Sequence, residues 1–562
     1  MRKAATRRGR YDRIDGSYRA RRAATIAAIA AATVAAAFAS LPAADTLAPP
    51  VDATSRVLAE VEAALFPGER ARPPKAIRAE SVVERAGQVV GKVETLACRE
   101  PRSFREVTEV DGVRQVVTLV GDDAWIEDPN GMVRPATGDE LATIRLAHAF
   151  VFHDWALGRL ADFDLRADDV TDSAAVVRLA PRPAGPERRL FLSRGPDGLL
   201  PARLEQVEQG ETTVERFEDW RVVDGVRFSY ASRQSTGDPR FDIVIRTTSL
   251  VPCDSLPAGA IVPPIAAPHG RVAFLDPARA RAIPLVRVGG VPLLKVTVNG
   301  VADLPFLLDT GAAATVLSAA LVERLHLQAR GVVEARGAGG SEVARYVDLA
   351  SLSLPGVELT DQTLVALPLD GIAEALSTPI DGILGYDFLN HFAVEIDDPG
   401  RRFGLFPAGS YSPRAGLVRL PLRLENNVPR LDGTLEGRHA GSFVLDTGNA
   451  TPLLLHTTFA KEHGFLDRAA DASMKLSGIG GDEAMRQVTV GSLALGSITF
   501  ANVTAVIAPG GGGAISLESS IGNVGSALFA GRVLAFDYGA GALWVSAAAE
   551  SAAAIADSAS AR

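Results

Sequence analysis

The sequence predicts a mainly β chain. Two tandem copies of one β-barrel lobe form a bilobal unit, and an α+β domain built on a curved, open antiparallel sheet with helices precedes them. Three observations lead there. Phe306-Leu307-Leu308-Asp309-Thr310-Gly311-Ala312 returns as Phe443-Val444-Leu445-Asp446-Thr447-Gly448-Asn449, 137 residues later (446 − 309). The markers around the two copies recur in the same order, which a duplicated domain explains better than convergent loops. Upstream, alternating apolar stretches joined by turn dipeptides follow a segment of helical spacing.

Each aspartate ends an apolar strand and enters a turn, where the following glycine permits a bend that other residues resist. A single Asp-Thr-Gly carries little weight, since chance supplies one on the order of once in a few thousand positions. Two copies in matched surroundings are another matter. Upstream, Asn299-Gly300 and Glu436-Gly437 read as hairpin turns, their second residues both nine positions before the aspartate (309 − 300 and 446 − 437). Downstream, Ile383-Leu384-Gly385 is matched with Ser520-Ile521-Gly522, because 385 − 309 and 522 − 446 both give 76. Gly337-Ala338-Gly339-Gly340 and Gly478-Ile479-Gly480-Gly481 are expected as flexible hairpin tips. Val394-Glu395-Ile396-Asp397 and Leu534-Ala535-Phe536-Asp537 close the halves.

Two halves ordered as strand, Asp-Thr-Gly, glycine-rich flap, apolar-apolar-Gly and terminal strand resemble the retropepsin-like and pepsin-like aspartic proteases, over roughly residues 284 to 546. Glycine-rich tips in both halves, with no tyrosine in either, resemble a retroviral-type dimer fused into one chain rather than the pepsin subgroup. Asn449 departs from the Ala, Ser or Thr usual at its place. The resemblance implies an aspartic endopeptidase without cofactor or metal, with Asp309 and Asp446 as the catalytic pair. It also implies that Thr310 and Thr447 cross-link the two turns and that Gly311 and Gly448 keep them tight. The residues 337–340 and 478–481 would be flaps closing over an extended polypeptide.

The chemistry fits those residue types. Peptide hydrolysis without a metal or a nucleophilic side chain needs one group to take a proton from water and another to protonate the carbonyl oxygen. Two adjacent carboxyls cannot both ionise, so they share one proton and serve both roles. Ala312 offers no hydroxyl to its carboxylate, so the expected activity optimum is acidic, yet less so than in gastric-type enzymes.

Residues 1–22 are rich in Arg and Lys, and 23–44 form an Ala-rich apolar run, read as an export signal or an uncleaved membrane anchor. Either reading places the chain outside the cytoplasm, in the periplasm or cell envelope. From 51 to 251, Val57, Leu58, Val61 and Leu65 have helical spacing, and Asp111-Gly112, Asn130-Gly131, Pro196-Asp197-Gly198 and Asp224-Gly225 mark hairpins. A second helix is expected from near Asp139 towards Trp155. This order resembles the periplasmic lipoprotein-carrier proteins, which implies lipid or lipoprotein as a partner; a structural or docking domain is the other reading. Cys98 and Cys253, the only cysteines, are either bridged or two separate thiols. Residues 252–283 and 407–416 read as linkers around lobes at 284–406 and 417–546, and 547–562 as a disordered Ala/Ser tail.

Other functions are excluded by what the chain lacks. Net charge is −9 with no basic run in the folded part, which argues against nucleic acid. Gly87 to Lys92 falls short of a phosphate loop, and His148 and His153 are five apart, off a shared helical face. Two halves in one chain leave a monomer able to complete its own site. The alternative to a protease is a catalytically silent envelope carrier of lipid, lipoprotein or peptide.

Overall fold

The computed structural model describes residues 52–68, 71–182, 185–208, 211–337, 339–510, 515–516 and 519–546. The expected signal or anchor (1–44), Ala338 of the first glycine-rich tip and the expected tail (547–562) lie outside the described residues.

The first unit opens with helix α1 (Asp52–Leu65). Val57, Val61, Ala64 and Leu65 fall on one face of it and are buried. Among the described residues, thirteen strands between Ala76 and Cys253 form a single antiparallel sheet in which chain neighbours are sheet neighbours. The exception lies mid-sheet, where the first strand (Ala76–Arg85) pairs with the last (Ile243–Cys253). Helix α2 (Gly138–Val151) links the two outer edges. Asp111-Gly112 and Asp224-Gly225 sit at hairpin turns with positive φ at both residues, the geometry that favours Asp and Gly there. The two helices pack on the sheet: Val61 and Leu65 share a buried cluster with Trp155, Leu190 and Leu199, and Ile144 shares another with Phe104, Leu119 and Phe228.

The bridged reading of the cysteines does not hold. Cys98 and Cys253 are free, and both stand opposite Ala76, one on each side of its strand. Two strand spacings of about 4.8 Å put their Cα atoms farther apart than a disulfide can reach.

The remainder is two sheets of matching order and a third they share. In each lobe the aspartate strand (Val301–Leu308; His439–Asp446) runs parallel to a short later strand (Gly382–Leu384; Gly522–Gly525). That short strand pairs on its other side with the strand following the aspartate turn (Val316–Ser318; Leu453–Leu455). The shared sheet has six strands. At its centre the closing strands of the two halves pair with each other, Val394 facing Phe536 and Ile396 facing Leu534. Its buried charge is neutralised locally: Glu395 accepts from the Tyr411 hydroxyl at 2.7 Å and pairs with Arg414, both from the segment read as a linker. Residues read as the first linker also join the sheets, with Val272–Phe274 pairing Val357–Leu359 and Ile283 pairing Phe403. One continuous apolar core runs through both lobes, from Phe306 and Leu308 to Phe443 and Leu445.

The first unit is fastened to both lobes. Asn130 makes a paired contact with Thr363, donating to its carbonyl at 3.1 Å and accepting from its N–H at 2.8 Å. Arg134, held by Glu140, donates to Asn427 of the second lobe at 2.6 Å, and Asn427 donates to the Ala313 carbonyl beside the first aspartate turn. At the hairpin turn Asp111 accepts from Val332 N–H at 3.3 Å, on strand Ala329–Gly337 of the first lobe.

Candidate active site

The two Asp-Thr-Gly turns meet face to face. Thr310 N–H donates to Thr447 Oγ1 and Thr447 N–H to Thr310 Oγ1, each at 3.0 Å. Each hydroxyl then donates across to the other lobe, Thr310 to the Leu445 carbonyl at 2.7 Å and Thr447 to the Leu308 carbonyl at 2.9 Å. Four reciprocal bonds, all buried, fix the position of one turn relative to the other.

Within that frame the carboxyls of Asp309 and Asp446 lie side by side, both within reach of a Cβ placed on Gly311, and are only partly exposed. Asp309 accepts from Gly311 N–H at 2.8 Å and Gly448 N–H at 3.3 Å. Asp446 accepts from Asn449 N–H at 3.0 Å and from the Asn523 amide at 2.7 Å. Burial, and then the neighbouring Asp446 charge, hold Asp309 well above the ordinary carboxylate range. Burial raises Asp446 too, opposed by the donors that favour its ionised form, Asn523 first among them. The pair retains a proton that isolated carboxyls would lose.

The glycines are required by contact rather than by φ. A Cβ on Gly311 would lie 2.8 Å from Asp446 Cγ, and one on Gly448 would lie 2.4 Å from Asp309 Cγ. Asn449 turns its side chain away from the carboxylate: its Oδ1 accepts from Thr451 N–H at 2.9 Å, and only its backbone serves Asp446.

The two glycine-rich tips join long hairpins (Ala329–Gly337 with Gly340–Leu354; Ala470–Gly478 with Gly481–Leu495) and touch each other. Gly339 N–H donates to the Ile479 carbonyl at 3.0 Å. A Cβ on Gly339 would lie 2.1 Å from the Gly481 carbonyl oxygen, and one on Gly480 would lie 2.3 Å from the Gly340 carbonyl carbon. Ile479 crosses to pack against the first lobe's apolar patch of Leu307, Val333 and Ile383, next to Ala312.

Strand register corrects one match drawn from spacing. Leu307 faces Ile383 in the first lobe and Val444 faces Asn523 in the second, so Ile383-Leu384-Gly385 corresponds to Asn523-Val524-Gly525, not to Ser520-Ile521-Gly522. The glycine lies 79 residues after its aspartate (525 − 446) rather than 76. One of the three extra residues falls between the aspartate and the next strand: Val316, opposite Ile383, is seven after Asp309, whereas Leu454, opposite Asn523, is eight after Asp446. Asn523 and its neighbour His456 were not singled out from the sequence; the signal for Asn523 was a polar residue in an apolar slot, visible only with this register. His148 and His153 bond separate backbone carbonyls, those of Cys98 and Arg227.

Two segments, residues 294–388 and 431–523, match the family model described as aspartyl protease. No curated protein sequence is similar enough to count as a match. Among solved structures, an aspartic proteinase from Irpex lacteus is 13% identical with a TM-score of 0.30, over 47% of this chain and 95% of that one. A retropepsin-like aspartic protease from Rickettsia conorii is 17% identical with a TM-score of 0.18, over 23% and 89%. A LolA superfamily protein from Nitrosomonas europaea is 13% identical with a TM-score of 0.27, over 37% and 97%.

Proposed function

We propose that this chain, whose tandem repeats match the aspartyl protease family, is an exported aspartic endopeptidase acting on extended polypeptide. The single observation that carries the reading is the pair of carboxyls brought side by side at the junction of two cross-linked Asp-Thr-Gly turns. A water seated on the pair gives a proton to the ionised carboxyl while its oxygen bonds the peptide carbonyl carbon. The carbonyl oxygen takes the proton of the other carboxyl. Collapse of the resulting diol breaks the C–N bond, the first proton goes to the amine nitrogen, and a diol proton restores the pair. The four threonine bonds hold the geometry through both steps.

The flap contact across the midline means that an extended peptide enters only when the tips part, and re-closure over it excludes water. The first flap strand is fastened to the N-terminal sheet through Asp111. In this reading the N-terminal sheet is a positioning domain, with its own helices packed on it.

The test is cleavage of casein by purified full-length protein beside Asp309→Asn and Asp446→Asn. Loss of acid–base chemistry costs about 100- to 10,000-fold. Both variants should fall at least that far while keeping the thermal midpoint of the parent within a few degrees. Equal cleavage by all three proteins would remove the carboxyl pair from the chemistry.

A further inference from the structure

The second lobe carries a polar chain that the first lobe lacks. Asn523 stands in the slot of Ile383, and its Nδ2 donates to Asp446 Oδ2 at 2.7 Å. Its Oδ1 faces His456 Nε2 at 2.7 Å, and His456 Nδ1 faces the Ser520 carbonyl at 3.1 Å. His456 is wholly buried and occupies the place of Ser318. Ser318 caps its helix by accepting from Leu321 N–H at 3.0 Å; His456 makes no such side-chain cap. The duplication has therefore exchanged an apolar residue and a helix cap for a chain of hydrogen bonds ending on one carboxyl of the pair.

The chain has a direction. A primary amide donates only through nitrogen and accepts only through oxygen, so a ring N–H bound to Oδ1 turns Nδ2 towards Asp446. His456 Nε2 serves Asn523 Oδ1 as the N–H donor. An amide N–H aimed at a carboxylate favours the ionised form. Asp309 receives no counterpart from Ile383, and its donors are the backbone N–H groups of Gly311 and Gly448.

Resting on the endopeptidase reading, we propose that Asn523, oriented by His456, makes the pair unequal: Asp446 is the ionised member that takes the proton from water, and Asp309 holds the shared proton and gives it to the carbonyl oxygen. Asn523 is then a positioning residue, with His456 behind it. Titratable groups that face this arrangement among the described residues include the two aspartates, His456 and, behind Asp309, the buried Tyr538 phenol, stacked on Tyr386. Removing the amide destabilises ionised Asp446, so the base protonates at higher pH and the acid limb of the rate profile moves up.

The experiment is the pH profile of kcat/KM on casein for the full chain and four variants: Asn523→Ile, which installs the first lobe's side chain, Asn523→Ser, His456→Leu and His456→Gln. Asn523→Ile should shift the acid limb upward by about one pH unit and lower kcat with little change in KM. His456→Leu should shift it in the same direction, and His456→Gln, which keeps an N–H for Asn523 Oδ1, should recover more than half of that shift. Asn523→Ser, which keeps a short donor, should fall between parent and Asn523→Ile. If Asn523→Ile fails to fold by its thermal midpoint, the comparison of His456→Leu with His456→Gln decides. An active parent whose acid limb is shared by all the folded variants would overturn this inference and leave the endopeptidase standing; a parent that cleaves nothing between pH 3 and 8 would overturn both.

Discussion

Thr310→Val tests the frame that brings the two turns together. Valine matches threonine in shape but removes the hydroxyl, and with it two of the four reciprocal bonds: Thr447 N–H to Thr310 Oγ1 at 3.0 Å and Thr310 Oγ1 to the Leu445 carbonyl at 2.7 Å. Thr310 is 1% exposed and Thr447 is 3% exposed, so no water replaces the lost partners. Each orphaned backbone group costs about 1–3 kcal/mol, so the pair costs about 2–6 kcal/mol. Thr310→Ser keeps the hydroxyl and gives up one methyl, about 1 kcal/mol. The difference is about 1–5 kcal/mol, so at about 2–4 °C per kcal/mol for a unit of this size the bilobal transition should fall by at least about 2 °C more in Thr310→Val than in Thr310→Ser by scanning calorimetry. Activity should fall with it, because the carboxyls lose their mutual registration. Thr310→Val matching Thr310→Ser in both midpoint and kcat/KM would refute the view that these bonds hold the lobes in register.

Gly448→Ala puts a Cβ 2.4 Å from Asp309 Cγ and should cut kcat/KM more deeply than Gly311→Ala, whose Cβ meets Asp446 Cγ at 2.8 Å; the kinetics of the two variants check the order. Burial first of all raises Asp387 and Glu106 to about 8, Glu334 to about 7 and Asp128 to about 6. An unfolded chain releases those protons near pH 4, so the stability they contribute is whole below that and is lost as pH rises through about 6 to 8. The thermal midpoint should therefore be lower at pH 8.5 than at pH 5.5, and a midpoint that rises across this window would contradict the assignment. Titration of denatured, unreduced protein should find two reactive thiols, Cys98 and Cys253; finding none would mean the strand order around Ala76 is wrong.

Much of the site was legible because its signals are local. Asn299-Gly300 and Glu436-Gly437 take positive φ at all four residues, as the hairpins they suggested require. The glycine-rich segments, apart from Ala338, lie at hairpin ends, and the repeated Asp-Thr-Gly turns lie together. The match of Gly385 to Gly522 failed for an instructive reason. Three extra residues in the second half happened to leave another apolar-Gly pair at the original spacing, and only backbone pairing tells the two apart. The same blind spot hid Asn523 and His456, which are remote in sequence from Asp446 and ordinary in composition. Nor did the cysteine count reveal that a strand runs between the two thiols.

By itself, the sequence determined that the chain carries a duplicated lobe, where each aspartate turn and each glycine-rich hairpin falls, and that the first unit is a helix followed by a meander, because turn chemistry and apolar periodicity act over a few residues. Only the tertiary structure decided which residues of one lobe serve the carboxyl of the other and which side chain breaks the symmetry of the pair. It also decided that Asp111 and Asn130 tie the first unit to two strands of the first lobe. Those contacts depend on strand register and on lobes closing against each other, where a shift of one residue turns a side chain to the opposite face.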